Sequence, residues 1–214
     1  MINIYFIVEG YTEQKFIEDA LIPYLDNGSM LNYNYLNLNG TTKLDTLLKC
    51  IKNSMPKYDY VTTFIDLARS DGIKFDNYTT IMHKNINSQE KSTLLEQQLT
   101  SKIADIVPHQ QQHKFIAHIQ PYEFEALCFA DYHGLCKTDP KIARHITQIE
   151  HELKKYNNNP ESINNLNFPS ARLSKYNYIK KHSTFAVHCN INKIRKNCPH
   201  FNNWLLKLEH ILKD

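Results

Sequence analysis

With 214 residues, 42% of them hydrophobic and 11% aromatic, the chain can bury a sizeable core, and its composition is that of a globular protein, not a disordered one. No apolar run is long enough to span a bilayer, and MINIYFIVEG has neither a basic leader nor a small-residue cleavage site; a cytoplasmic protein with no membrane partner is expected. The net charge of +3 is uneven: residues 1–136 hold 11 Lys/Arg against 16 Asp/Glu, and residues 137–214 hold 14 against 6. Such a split suits cations bound in one place and phosphates in another, or simply an ordinary solvated surface.

Ile2–Val8 is a nearly continuous apolar run, the pattern of a buried strand. Thr12 can cap a helix whose Phe16, Ile17, Ala20, Leu21, Tyr24 and Leu25 share one face. Asn34–Leu38 predicts a second strand, Leu44–Ile51 a second helix, and Tyr60–Ile65, rich in β-branched residues, a third strand. The polar connection DLARSDGIKFDNYTT reads as a loop of the kind that carries function. Asn87 with Glu90 three residues on has capping-box form and opens a helix to about Val107; Lys114–Gln120 then predicts a fourth strand. This alternation argues for an α/β fold with a mostly parallel sheet flanked by helices. From Glu123 the texture becomes helical with Asn-rich joins, and the last helix, Phe201–Leu212, carries an apolar stripe that must pack against something. The expected organisation is an α/β domain over 1–136 and a basic, mainly helical C-terminal extension over 137–214, packed on it as one structural unit.

Cys50, Cys128, Cys136, Cys189 and Cys198 are odd in number and scattered, which fits reduced thiols. Cys189, Cys198 and His200 lack paired ligand spacing, and the eleven histidines form no HExxH or HxH, so zinc is not expected from spacing. No Walker motif or dinucleotide fingerprint is present; if ATP is used, a partner uses it.

In parallel α/β sheets, ligands bind beyond the carboxyl ends of the strands. Acids stand at three such ends: Glu9 and Glu13 after the first strand, Asp66 and Asp71 at and beyond the third, Glu123 and Glu125 after the fourth. Carboxylates converging on one rim repel each other unless a hard cation sits among them, and Mg²⁺ or Mn²⁺ takes such ligands while leaving room for a substrate phosphate. Two such ions stabilise both the attacking and the leaving oxygen of phosphodiester cleavage. Plainer readings stay open: Glu13 as a favourable charge at a helix start, Asp66 as a turn residue, Asp71 and Glu125 as solvated side chains. Glu9 is the hardest to explain so plainly, since neither helix nor turn needs a carboxylate there. In the basic half, Arg172, Lys175, Lys180, Lys181, Lys193, Arg195 and Lys196 surround Tyr176 and Tyr178, candidates for phosphate contact and base stacking, with Arg69 as a further clamp. A solvated cationic face beside half-buried tyrosines is the alternative.

VEGYTE after a first strand, with an acid ending a later one, resembles the Toprim domain of topoisomerases, primases and overcoming-lysogenization nucleases. The resemblance implies a Toprim-like (Rossmann-like) fold in which Glu9 is a metal ligand or general acid/base. It makes Glu13 the acid that the nuclease branch adds and Asp66 the first member of an Asp-x-Asp pair. Ala68 stands where the second member belongs, leaving Asp71, Glu123 or Glu125 to replace it. Over essentially the whole chain, VEGYTE, the FID strand end, PYEFEALCFAD, PSARLSKY and IRKNCPHFNNWLLKL are similar, in that order, to the bacterial Toprim-like domain-of-unknown-function family forty-two seventy-six. That family usually has histidine before EFEAL, where this chain has Tyr122. Its members are often found beside an ATPase in phage-defence gene clusters. The resemblance therefore implies a Mg²⁺- or Mn²⁺-dependent nuclease acting on nucleic acid, DNA ahead of RNA, with a separate ATPase subunit in antiviral defence; a homo-oligomer stays open. The alternative is a non-catalytic Toprim-like module that docks on the ATPase and senses nucleic acid or nucleotide.

Overall fold

The computed structural model describes all residues except 27–30, 41–42, 164–167, 177, 179–181 and 214, and the side chains of all described residues but 69, 70, 182 and 183. Its sheet comprises β1 (Ile2–Val8), β2 (Leu31–Asn37), β3 (Tyr60–Asp66), β4 (Phe115–Ile116) and β5 (Ile119–Gln120). The order is β2-β1-β3-β4, with β5 also on β3. Every pairing is parallel; β1 meets β2 from Ile2↔Leu31 to Val8↔Asn37 and β3 from Ile4↔Tyr60 to Val8↔Phe64. This is the α/β architecture that the alternation of apolar runs predicts, helical C-terminal region included.

Side chains alternate across the two central strands, so each face of the sheet builds its own core. Ile4, Phe6, Val8 and Phe64 face a layer that includes the Tyr11–Phe16, Glu125–Ala130 and Pro199–Ile211 helices. Ile7, Val61 and Ile65 face the Leu44–Ser54 and Ser88–Ile106 helices. Phe201, Trp204, Leu205, Leu208 and Ile211 thus pack beside Phe16 and Phe64, and residues beyond 136 share one core with the first strand. Their stripe also has a polar anchor: Trp204 Nε1 donates to Thr62 Oγ1 at 2.9 Å, which satisfies a buried indole N–H.

Several local signals operate as read. Asn87 accepts from the Glu90 amide at 2.8 Å, while Glu90 accepts from the Asn87 amide at 2.9 Å, a reciprocal capping box. The first helix differs in detail. Its cap is Gly10, with Glu13 reaching back to the Gly10 amide, and Thr12 lies inside it. The helix passes into a π-helical turn at Ile17–Leu21 just before Pro23, a residue that cannot supply an amide to the ladder. The polar connection after β3 is not an open loop; it winds into helical turns at Leu67–Arg69, Ser70–Ile73 and Tyr78–His83. All five cysteines are free thiols. Among the described residues, no helix is long and apolar enough to cross a membrane.

Candidate functional site

β1 and β3 end side by side, so the residues that follow them meet at one rim. The Glu9 amide donates to Phe64 O at 3.2 Å, and the Gly40 amide donates to Glu9 O at 2.9 Å, which fixes the backbone at the strand end. From there the Glu9 side chain crosses to β3, where its Oε2 accepts the Asp66 amide at 3.0 Å. Glu13 Oε2 accepts the Gly10 amide at 2.9 Å. Gly10 is extended (φ −153°), so it needs no left-handed freedom. Its lack of a side chain matters for space, because a Cβ there would stand 3.3 Å from Glu13 Oε2. Glu13, Asp66 and Glu125 are buried, and Glu9 is half-buried.

Burial pushes the Asp66 carboxyl well above the usual carboxylate range, and the charges of Glu13, Glu9 and Glu125 push it the same way. A backbone hydrogen bond from Phe124 works in the opposite direction. Three acids therefore act on Asp66 at the carboxyl end of the sheet, and each opposes its ionisation.

Glu125 joins the group through the turn after β5. The Glu123 amide donates to Pro121 O at 2.9 Å, a three-residue turn centred on Tyr122, whose φ is +56°. A γ-turn with positive φ is rare and strained, and a bulky aromatic makes it more so. Tyr122 O in turn accepts the Ala68 amide at 2.9 Å, which ties this turn to the segment after β3. Beyond it, Glu125 opens the Glu125–Ala130 helix, whereas Glu123 points away and accepts the Ser170 amide at 3.0 Å. Of the three acids available to stand in for the one missing at Ala68, Glu125 is thus the one whose charge bears on Asp66. Asp71 is exposed on the Ser70–Ile73 turn, and Glu123 caps a neighbouring helix.

The basic candidates divide. Arg195 donates to both Glu209 oxygens, at 2.6 and 3.1 Å, and to Tyr24 at 2.6 Å, so its guanidinium joins two helices. Arg172 pairs with Glu152, donates to the Tyr156 hydroxyl at 2.7 Å and lies over the Tyr156 ring at 5.1 Å. Neither is offered to a phosphate. Lys175 and Lys193 are exposed, the latter 3.7 Å from Asp131. Tyr178 is buried and Tyr176 packs half-buried on the core, the plainer of the two readings for those rings. Lys180 and Lys181 lie outside the described residues, as does the Arg69 side chain.

A family model described as a domain of unknown function, DUF4276, matches residues 8–209. The chain belongs to that family. The match includes β3, the Tyr122 turn, the Glu125 helix and nearly all of the final helix, and it begins at Val8, one residue before Glu9. Searches of curated proteins and of solved structures return no match.

Proposed function

We propose that this DUF4276 protein is a Mg²⁺- or Mn²⁺-dependent Toprim-like nuclease that cleaves nucleic-acid phosphodiesters, working with an ATPase partner in defence against phage or foreign DNA. The observation that carries the reading is the convergence of Glu9, Glu13 and Glu125 on the buried carboxyl of Asp66, at the carboxyl ends of parallel strands. A set made only of carboxylates suits a hard cation and offers nothing to a soft one. A bound ion would neutralise the acids and supply Lewis acidity toward a phosphodiester. Asp66, Glu13 and Glu125 are the residues to hold it. In this reading Glu9 accepts and returns a proton, a role supported by its being the most exposed of the four and oriented by the Asp66 amide. The DNA substrate and the ATPase partner come from the resemblance of the motifs alone.

The test is cleavage of a DNA and RNA panel by the purified chain with Mg²⁺ or Mn²⁺. Glu9→Gln and Asp66→Asn are expected to abolish it. Undiminished cleavage in both variants would overturn the assignment.

A second reading has its own support. Ala68 occupies the position of the second Asp, and Arg172 and Arg195 are committed to internal pairs. A module that docks on its ATPase and senses nucleotide or nucleic acid without cutting needs neither. Absence of divalent-ion binding, and of cleavage with the ATPase present, would select it.

A further inference from the structure

On the far side of β3 from β1, three elements bring one carboxylate and two imidazoles together. Glu96 comes from the middle of the Ser88–Ile106 helix, His118 from the break between β4 and β5, and His200 from the first turn of the Pro199–Ile211 helix. Glu96 and His200 are 104 positions apart in the chain, so no local spacing reveals the group. One ligand atom from each residue lies within 4.8 Å of the others. Glu96 Oε1 stands 2.7 Å from His200 Nε2 and 3.6 Å from His118 Nδ1. Ligand atoms of a tetrahedral ion with bonds of about 2.0 Å lie about 3.3 Å apart, so the two observed separations bracket the requirement.

We propose that Glu96, His118 and His200 form a site for a borderline-soft divalent metal of the zinc class, separate from the acidic rim. Two imidazoles and one carboxylate are a donor set for zinc-like ions and a poor one for Mg²⁺.

The alternative is a hydrogen-bonded packing cluster, and the bonds in place leave it incomplete. Glu96 Oε1 already accepts the Ile119 amide at 2.7 Å and lies against His200. His118 is 1% exposed, and its Nδ1, 3.6 Å from Glu96 Oε1, is beyond hydrogen-bond distance of that carboxylate. The buried Gln120 side chain interacts with His118 and is a natural outer partner for the second ring nitrogen of a ligating histidine.

The rings are also held in place. His118 stacks on Trp204 with centroids 4.5 Å apart and planes 8° from parallel, and on His200 at 5.4 Å. Behind His200, Glu161 accepts its backbone amide at 2.8 Å. The three candidate ligands line a cavity of about 400 Å³ that also reaches Asn203 and Lys207, leaving room for a fourth ligand. Three protein ligands and an open position are the pattern of a zinc site that does chemistry rather than only bracing the fold. Lys207 opposes a cation, and the charges of Glu96 and Glu161 act against it.

The test reads metal content, so it stands or falls independently of the nuclease reading. Full-length protein is stripped with chelator, reloaded with Zn²⁺ in excess Mg²⁺ and desalted. One equivalent of zinc per chain is expected by mass spectrometry, and Co²⁺ is expected to give the intense visible bands of four-coordinate cobalt. His118→Ala and His200→Ala are each expected to weaken zinc binding by at least about tenfold, whereas Glu9→Gln, at the acidic rim, retains the zinc. X-ray absorption of the zinc-loaded wild type, which needs no variant to fold, is expected to show two imidazoles in the shell. Zinc well below one equivalent in the wild type, or a shell without imidazole, overturns the site.

Discussion

Replacing Glu13 by glutamine should make the metal-free protein more stable while weakening its response to Mg²⁺. Glu13 Oε2 accepts the Gly10 amide at 2.9 Å, and a glutamine oxygen can take the same bond, so the helix start survives. What disappears is the first of the three charges that raise Asp66. Like charges about 5 Å apart repel by about 3 kcal/mol at an effective dielectric of about 20. Proton uptake by Asp66 relieves part of that, leaving a gain of about 1–2 kcal/mol, or roughly 2–8 °C in melting temperature for a chain of this size. The pH dependence has a definite sign. The native state holds the Asp66 proton more tightly than the unfolded chain does. Its contribution is therefore full below the unfolded pKa of about 3.9 and is lost as pH rises through the folded value. In chelator, wild-type stability should fall as pH climbs from the acid side, and that of Glu13→Gln should fall less. Mg²⁺ narrows the gap: at about ten times its Kd it stabilises the wild type by about 1.4 kcal/mol, and a variant with one ligand charge fewer gains less. Calorimetry in chelator and then in Mg²⁺ reads both effects. A variant that melts below wild type in chelator, beside a wild type indifferent to Mg²⁺, refutes the idea of mutually repelling ligands.

Three further outcomes separate roles at and around the site. Glu125→Gln should remove most of the Mg²⁺-induced rise in melting temperature and Glu123→Gln should leave it in place, because Glu125 acts on Asp66 whereas Glu123 accepts the Ser170 amide; equal effects would contradict this division. Glu161→Ala strips the acceptor from the amides of His200 and Phe201, at 2.8 and 3.0 Å, and should cost about 2–4 kcal/mol in a denaturant titration; a loss below about 0.5 kcal/mol, within ordinary surface scatter, would show that water replaces it. Gly134→Ala would put a Cβ 2.6 Å from Asp131 Oδ2 and 3.1 Å from the backbone at His188 and Cys189, so it should destabilise by about 1–3 kcal/mol, and an unchanged melt would contradict that close approach.

The elements legible in the sequence are those whose signal is local. β1 and β3 announce themselves as apolar, β-branched runs, the Ser88–Ile106 helix by its capping box, and the last helix by its stripe. That Glu9, Glu13 and Asp66 meet at one rim was readable for the same reason: the parallel order forces residues after β1 and β3 together. The division of labour between Glu123 and Glu125 was not readable, because it depends on the left-handed backbone of Tyr122, and nothing about a tyrosine signals that conformation. The internal pairing of Arg172 and Arg195 was not readable, because their partners, Glu152 and Glu209, become neighbours only through helix packing.

The fourth strand shows how one concealed feature can position two sites. Lys114–Gln120 reads as continuous, yet the strand is broken between Ile116 and Ile119. Two threonine hydroxyls of β3 take over the pairing there. Thr62 Oγ1 donates to Ile116 O at 2.7 Å; Thr63 Oγ1 donates to His118 O at 3.0 Å and accepts the His118 amide at 2.9 Å. Side-chain bonding of this kind satisfies the backbone without the regular ladder, so period-two patterning cannot detect it. On one side, the break sets the His118 ring between Trp204 and Glu96. On the other, β5 resumes in register with the end of β3, Asp66 opposite Gln120, and leads within two residues to the Tyr122 turn and then to Glu125. Thr63→Val tests this dependence, since it removes both bonds to His118 with little change in shape. If the break positions both groups, that single change should weaken zinc retention and the Mg²⁺ response together; loss of neither would separate the strand from the two sites.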